Sequence, residues 1–224
     1  LTIEAKGRSG LAPGFYTIPR YSFVDVDGVK YSFIQDIPFS KTSTEEETIA
    51  TIGNENLLYQ GSYVEYPMQT AIGVDFEPIV ITTGSDIKIE ASSINVYVKD
   101  TNTGEYKEFI ETESLYVEGP TDRKFEKRFN ENELYEIKFG NGVNGYKLNP
   151  GDELYIYYLK SNGTDGVVQA NSLTNKPITL YTSPQFMSIR SDIKSDDTTY
   201  LTFNLIPQLG LSNSLPSTTP NEKE

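Results

Sequence analysis

The stretch YEIKFGNGVNGYKLNPGDELYIYYLKSNGTDG, residues Tyr135 to Gly166, decides how this chain folds. Its six glycines lie between runs of tyrosine and aliphatic residues, so it is either a loop that grips a phosphate or a pair of strands that turns hard. Phosphate-cradling glycine loops run from a strand into a helix N-terminus and need a lysine or a later acidic residue in place. Here the glycines lead from strand to strand, and the stretch predicts a hairpin. With Asn141 and Gly142 at the turn, where positive φ suits strand twist, Phe139 pairs with Asn144, Ile137 with Tyr146 and Tyr135 with Leu148. Glu136 then faces Lys147, so that apolar meets apolar and acid meets base. The DELYIYYLK that follows is apolar on both faces and reads as a central strand.

Strand patterns continue on both sides. YSFVDVDGVKYSF places Asp27-Gly28 at a two-residue turn and pairs Val26 with Val29, Val24 with Tyr31 and Ser22 with Phe33. SINVYVKD puts Ile94, Val96 and Val98 on one face, and EYKEFIE follows after the turn TNTG. KPITLYT, FMSIRSDI and TYLTFNLI read as three more strands, whereas TSTEEETIATIG is the only helix-friendly polar stretch and its apolar stripe is too short to bury much. Short strands with a turn signal every dozen residues or so predict an all-β fold of two antiparallel β-sandwich-like domains with little helix.

Residues 1–14 read as a connector, and 207–224, rich in Pro, Ser, Asn and Thr, as a linker towards an absent C-terminal region. Between them, 15–66 with 167–206 is expected to form one discontinuous β-domain and 67–166 a second one inserted in it. Two domains in series with a boundary near Pro67 is the alternative. Insertion is preferred because each flanking piece is small for a core of its own. The first residue is Leu1, and the chain reads as an internal piece of something longer.

Composition narrows the function classes. At 224 residues the chain buries a real core without staples. A formal charge of −13 disfavours nucleic acid and anionic membrane as partners. With no His and no Cys, thiol nucleophiles, Ser-His-Asp constellations, imidazole shuttles and the usual zinc sites are all excluded. No apolar run approaches the roughly 20 residues that span a bilayer, and no secretory signal is legible.

The candidate chemistry is weak. The carboxylate pairs Asp25 and Asp27, Asp75 and Glu77, Asp152 and Glu153, and Asp196 and Asp197 are what 32 acidic residues supply by chance. None has EF-hand spacing, and they read as solvated faces and turn residues rather than as a calcium site or a hydrolase pair. Asn162 to Thr164 is formally a glycosylation acceptor, without a secretory signal to make it one. No catalytic, cofactor-binding or metal-ligating residue is assigned. Tyr155, Tyr157 and Tyr158, with Tyr135 and Tyr146, read first as strand formers and second as an interface.

The glycine pattern at Phe139, Gly140, Asn141, Gly142, Gly145, Gly151 and Gly163 resembles a signature of the baseplate wedge subunits of contractile-tailed phages, the baseplate-J-like family. IPRYSFVDVDGVKYSF, Ile18 to Phe33, resembles that family's element of Ile-Pro followed by a hairpin, and IEASSINVYVKD is similar to its strand before the inserted turn. The likeness runs in order over about 15–171. Asn141 stands where Asp is common, Asp152 where Asn is common and Glu90 where Asp is common, and each keeps polar or turn chemistry. The resemblance implies a virion protein of the tail baseplate, assembled in the host cytoplasm, that joins wedges into a ring around the hub and rearranges when the sheath contracts. Its partners would be other copies of itself and other wedge proteins, with no enzyme activity, cofactor, small-molecule substrate, nucleic acid or membrane. Two alternatives stand beside it. A carbohydrate-binding or adhesin β-sandwich would need Tyr155 and Tyr157 exposed as a platform, and a two-carboxylate hydrolase would need a cleft with one raised carboxyl pKa.

Overall fold

The computed structural model describes residues 2–7, 13–41, 47–51, 58–83, 88–169, 172, 173, 176–193 and 201–206, and over them the chain is all-β with one short α-helix. The strands begin with β1 (Thr2–Gly7), β2 (Gly14–Ile18), β3 (Phe23–Val26), β4 (Val29–Phe33), β5 (Ile37–Lys41), β6 (Glu47–Thr51) and β7 (Leu58–Gln60). Then come β8 (Ser62–Glu65), β9 (Gln69–Thr70), β10 (Pro78–Ile81), β11 (Lys88–Ile89), β12 (Asn95–Lys99), β13 (Tyr106–Thr112), β14 (Lys124–Phe129), β15 (Tyr135–Lys138) and β16 (Glu153–Ser161). The chain ends in β17 (Pro177–Thr179), α1 (Pro184–Ile189) and β18 (Leu201–Ile206). It divides into two compact units, an inner one of Val64–Leu159 and an outer one of Leu1–Tyr63 with Lys160–Glu224. The expected bounds at 67 and 166 fall a few residues later than these, and Val64 already packs on the inner core.

The outer unit holds a seven-stranded sheet in the order β6-β1-β18-β17-β3-β4-β7 and a two-stranded sheet of β2 and β5. Its core is Ile18, Val24, Val26, Tyr31, Phe33 and Ile37 with Leu58, Leu173 and Ile178. Burying each such side chain contributes roughly 1.5–3 kcal/mol. The β3–β4 hairpin has the expected register, Val26 with Val29 and Val24 with Tyr31, and Phe33 N donates to Ser22 O at 2.9 Å. Asp27 (φ 53°) and Gly28 (φ 88°) both take the left-handed backbone that a two-residue turn demands.

Two expectations fail in this unit. Within the expected connector 1–14 the described residues 2–7 are strand instead, since β1 pairs β18 along one edge and β6 along the other, and β2 starts at Gly14. Its partners lie far away in the chain, so a short six-residue run gave no local sign of them. FMSIRSDI is not a strand, because Ser183 Oγ accepts from Phe186 N at 3.1 Å, Pro184 occupies the first turn, and the helix α1 buries Phe186 and Ile189 three residues apart. The capping residue and the proline were visible, but the alternation of apolar and polar residues imitated a strand. The polar stretch TSTEEETIATIG, whose apolar stripe is too short for a buried helix, contains strand β6. Asp196, Asp197 and 207–224 lie outside the described residues.

The inner unit is built on the order β10-β15-β14-β13-β12-β16-β11, with β8 and β9 also pairing β16. Strand β16 is central, as its two apolar faces predict, and Val96 pairs Ile156 and Val98 pairs Leu154 across β12. Ile94, Val96, Val98, Phe109, Phe125, Ile137 and Phe139 share one core with Leu154, Ile156 and Tyr158. One pair departs from the antiparallel expectation, since β13 and β14 run parallel with Ile110 opposite Lys124.

The opening stretch departs too. Strand β15 does not fold back on residues 143–148 but lies between β10 and β14, with Ile137 opposite both Ile79 and Lys127 and Tyr135 opposite Ile81 and Phe129. Glu136 ion-pairs with Arg128, and Lys147 reaches Asp75 at 2.6 Å instead. The hairpin would have satisfied one edge of β15 with a segment carrying Gly145. Two regular neighbours satisfy both edges and bury Ile137 completely.

Candidate functional site

Loops from several strand ends meet on the inner unit, and acidic side chains hold them. Residue Glu77 immediately precedes β10 and is 2% exposed. Its two oxygens accept from Ile72 N at 2.7 Å and Gly73 N at 2.8 Å. Asp152, 1% exposed at the entry to β16, accepts from Thr101 N at 2.9 Å with one oxygen and from Asn149 N at 2.9 Å with the other. Asn141 Oδ1 accepts from Val143 N and Asn144 N, Asp122 Oδ2 from Gly119 N, and Ser114 Oγ from Tyr116 N. A carboxylate that answers backbone N–H groups in this way pins the loop.

Gly140 completes the frame. A Cβ there would lie 2.2 Å from the backbone of Gly145, and one on Gly145 would lie 2.9 Å from Leu115 Cδ2. Gly140 N donates to Tyr146 O at 3.1 Å, Gly145 N to Glu118 O at 3.3 Å and Phe76 N to Gly140 O at 3.3 Å. The loops 71–77, 113–122 and 139–152 are thus bound into one surface. On it Ile72 (73% exposed), Tyr116 (67%), Val117 (81%) and Val143 (69%) stand in solvent. Sequence reasoning passed over them, although the apolar run LYV between Ser114 and Gly119-Pro120 carries no strand alternation and was a usable signal.

The singled-out residues are otherwise dispersed. Asp25 Oδ1 accepts from Gly28 N at 2.8 Å and Asp27 is the turn residue. Glu153 binds Lys99 at 3.1 Å and accepts from the Tyr155 hydroxyl at 2.5 Å. That hydroxyl and the Lys99 ammonium hold the Glu153 carboxyl below its ordinary range, and burial with the same contact pushes the Tyr155 phenol well up. Asp192 is held down by Arg190. The two carboxyl shifts are downward, the opposite of what a general acid needs. Among the described residues no group of three or more acids is placed to hold a metal ion.

The tyrosines serve the sheets. Tyr157 is fully buried and stacks edge-on to Tyr97 at 5.9 Å, Tyr158 lies in the core, and the half-buried Tyr155 packs on Tyr106 at 5.6 Å. Tyr146 carries the Arg123 guanidinium 5.4 Å over its ring. An exposed platform of Tyr155 and Tyr157 is therefore not formed. Beside Tyr146, a hollow of about 80 Å³ lined by Asp100, Glu105, Lys107 and Arg123 is small against the roughly 300–1,000 Å³ of metabolite pockets. No family model matches the chain, and no curated protein matches it.

Proposed function

We propose that this chain is a structural part of a contractile-tail baseplate wedge, which binds sister copies and other wedge proteins, joins wedges into a ring around the hub and rearranges on sheath contraction. The observation that carries the assembly role is the loop surface of the inner unit, where buried Glu77 and Asp152 hold loops that expose Ile72, Tyr116, Val117 and Val143. Pinned loops bearing exposed apolar side chains are the surface an assembly protein needs, since little ordering is left to be done on docking. The assignment to a tail baseplate, and so to the virion, is supported by the glycine pattern from Phe139 to Gly163 and the Ile18 to Phe33 element.

Light scattering on this chain and on a version extended at both ends, over a concentration series with and without tail proteins, tests the reading. Mass that grows in the extended chain or with tail proteins is the expected result. A monomer in every mixture that shifts on adding polysaccharide would replace the reading with an adhesin.

A further inference from the structure

We propose that the loop surface of the inner unit docks a different protein, one presenting an apolar contact patch ringed by lysine or arginine, and not a second copy of this chain. The proposal rests on the assembly reading and names the chemistry of one partner. Its geometry is continuous: the Phe76 and Tyr116 rings lie 5.7 Å apart, and Asp75 and Lys147 tie two of the loops at 2.6 Å. Val117 and Val143 belong to loops joined by the Gly145 to Glu118 hydrogen bond.

Charge selects the partner. Segments 71–77, 113–123 and 139–152 carry Asp75, Glu77, Glu113, Glu118, Asp122 and Asp152 against Arg123 and Lys147. Glu77 and Asp152 are buried beneath the loops, and the rim itself stays net negative, with Asp75, Glu113, Glu118 and Asp122 against Arg123 and Lys147. Two copies meeting here would press like-charged rims together, on a chain already at −13, whereas a basic rim is steered in and held. Docking through side chains also fits the nearest sheet edge. The outward face of β10 carries Pro78, which has no N–H, and the Tyr66 hydroxyl, which donates to Val80 O at 3.3 Å and accepts from Thr82 N at 3.1 Å. Strand addition is blocked there.

The test uses the full chain and three immobilised synthetic peptides of equal length, one alternating lysine with leucine, one leucine with serine and one lysine with serine. Capture of the lysine-leucine peptide in preference to both others, weakened by high salt, is expected. It should fall about tenfold or more in the double variant Val117→Ser, Val143→Ser, and stay unchanged in Ile110→Ser, whose exposed side chain lies on β13. No capture, equal capture of the leucine-serine peptide, or undiminished capture by the double variant would overturn the proposal. So would a dimer of the wild-type chain that the double variant loses, since a second copy would then own the surface. Assembly with tail proteins that survives in the double variant would overturn this inference and leave the proposed function standing. Assembly with none of them would remove the proposed function, while the peptides still decide what the surface binds.

Discussion

The turn from Val26 to Val29 in the outer unit and the loop from Phe139 to Asp152 in the inner one are each built on a polar residue followed by glycine, and they keep their shapes by different means. At the turn, Asp27 and Gly28 take positive φ, Asp25 Oδ1 caps Gly28 N, and a Cβ on Gly28 would meet nothing within 4 Å. Conformation alone is at stake there. In the loop, Gly140 lies outside the left-handed region, yet a Cβ on it would fall 2.2 Å from the Gly145 backbone. One glycine is needed for an angle and the other for a space, and the cost of replacing them follows that difference.

Gly140→Ala therefore carries the largest expected loss, about 3–4 kcal/mol, because two backbone segments must part. Urea unfolding followed by circular dichroism measures it, and a loss smaller than that of Gly28→Ala would break the contrast. Asp152→Ala comes next at about 2–3 kcal/mol, since Thr101 N and Asn149 N lose a buried acceptor. The same titration checks it, and an unchanged midpoint would mean that the loop holds without its carboxylate. Gly28→Ala should cost about 1 kcal/mol, the strain of an L-residue at positive φ in open space. Smallest is Lys147→Ala, at about 0.5 kcal/mol or less, because its partner Asp75 is 64% exposed. A large effect there would show the Asp75–Lys147 contact to be part of the loop frame rather than an accessory to it.

How much was legible follows the same division. The Asp27-Gly28 hairpin was readable to the residue because its partners are adjacent in the chain and its turn chemistry is local. The central role of β16 was readable from its two apolar faces, and the shared face of Ile94, Val96 and Val98 from their alternation. Strand β15 was located but paired wrongly, since Ile79 on β10 and Lys127 on β14 reach it from other parts of the chain. Of the candidate surface, the sequence showed the glycines and asparagines as turn residues but not the exposure of Val117 and Val143, which depends on how three loops meet. The buried Glu77 and Asp152 passed for solvated acids because burial is invisible without the N–H groups that answer them.

What the amino-acid order determined by itself was therefore the local and periodic content: an all-β chain, its hairpin at Asp27-Gly28, its apolar faces, and a charge and residue inventory without His or Cys. These follow from backbone preference and side-chain period, which act over a few residues. Only the tertiary structure decided that β1 runs between β6 and β18, that β13 and β14 lie parallel, that Tyr157 is core, and that Ile72, Tyr116, Val117 and Val143 face solvent on one surface. Each of those depends on segments distant in the chain competing for the same strand edge or the same shelter from water, and that competition is settled only when the whole unit packs.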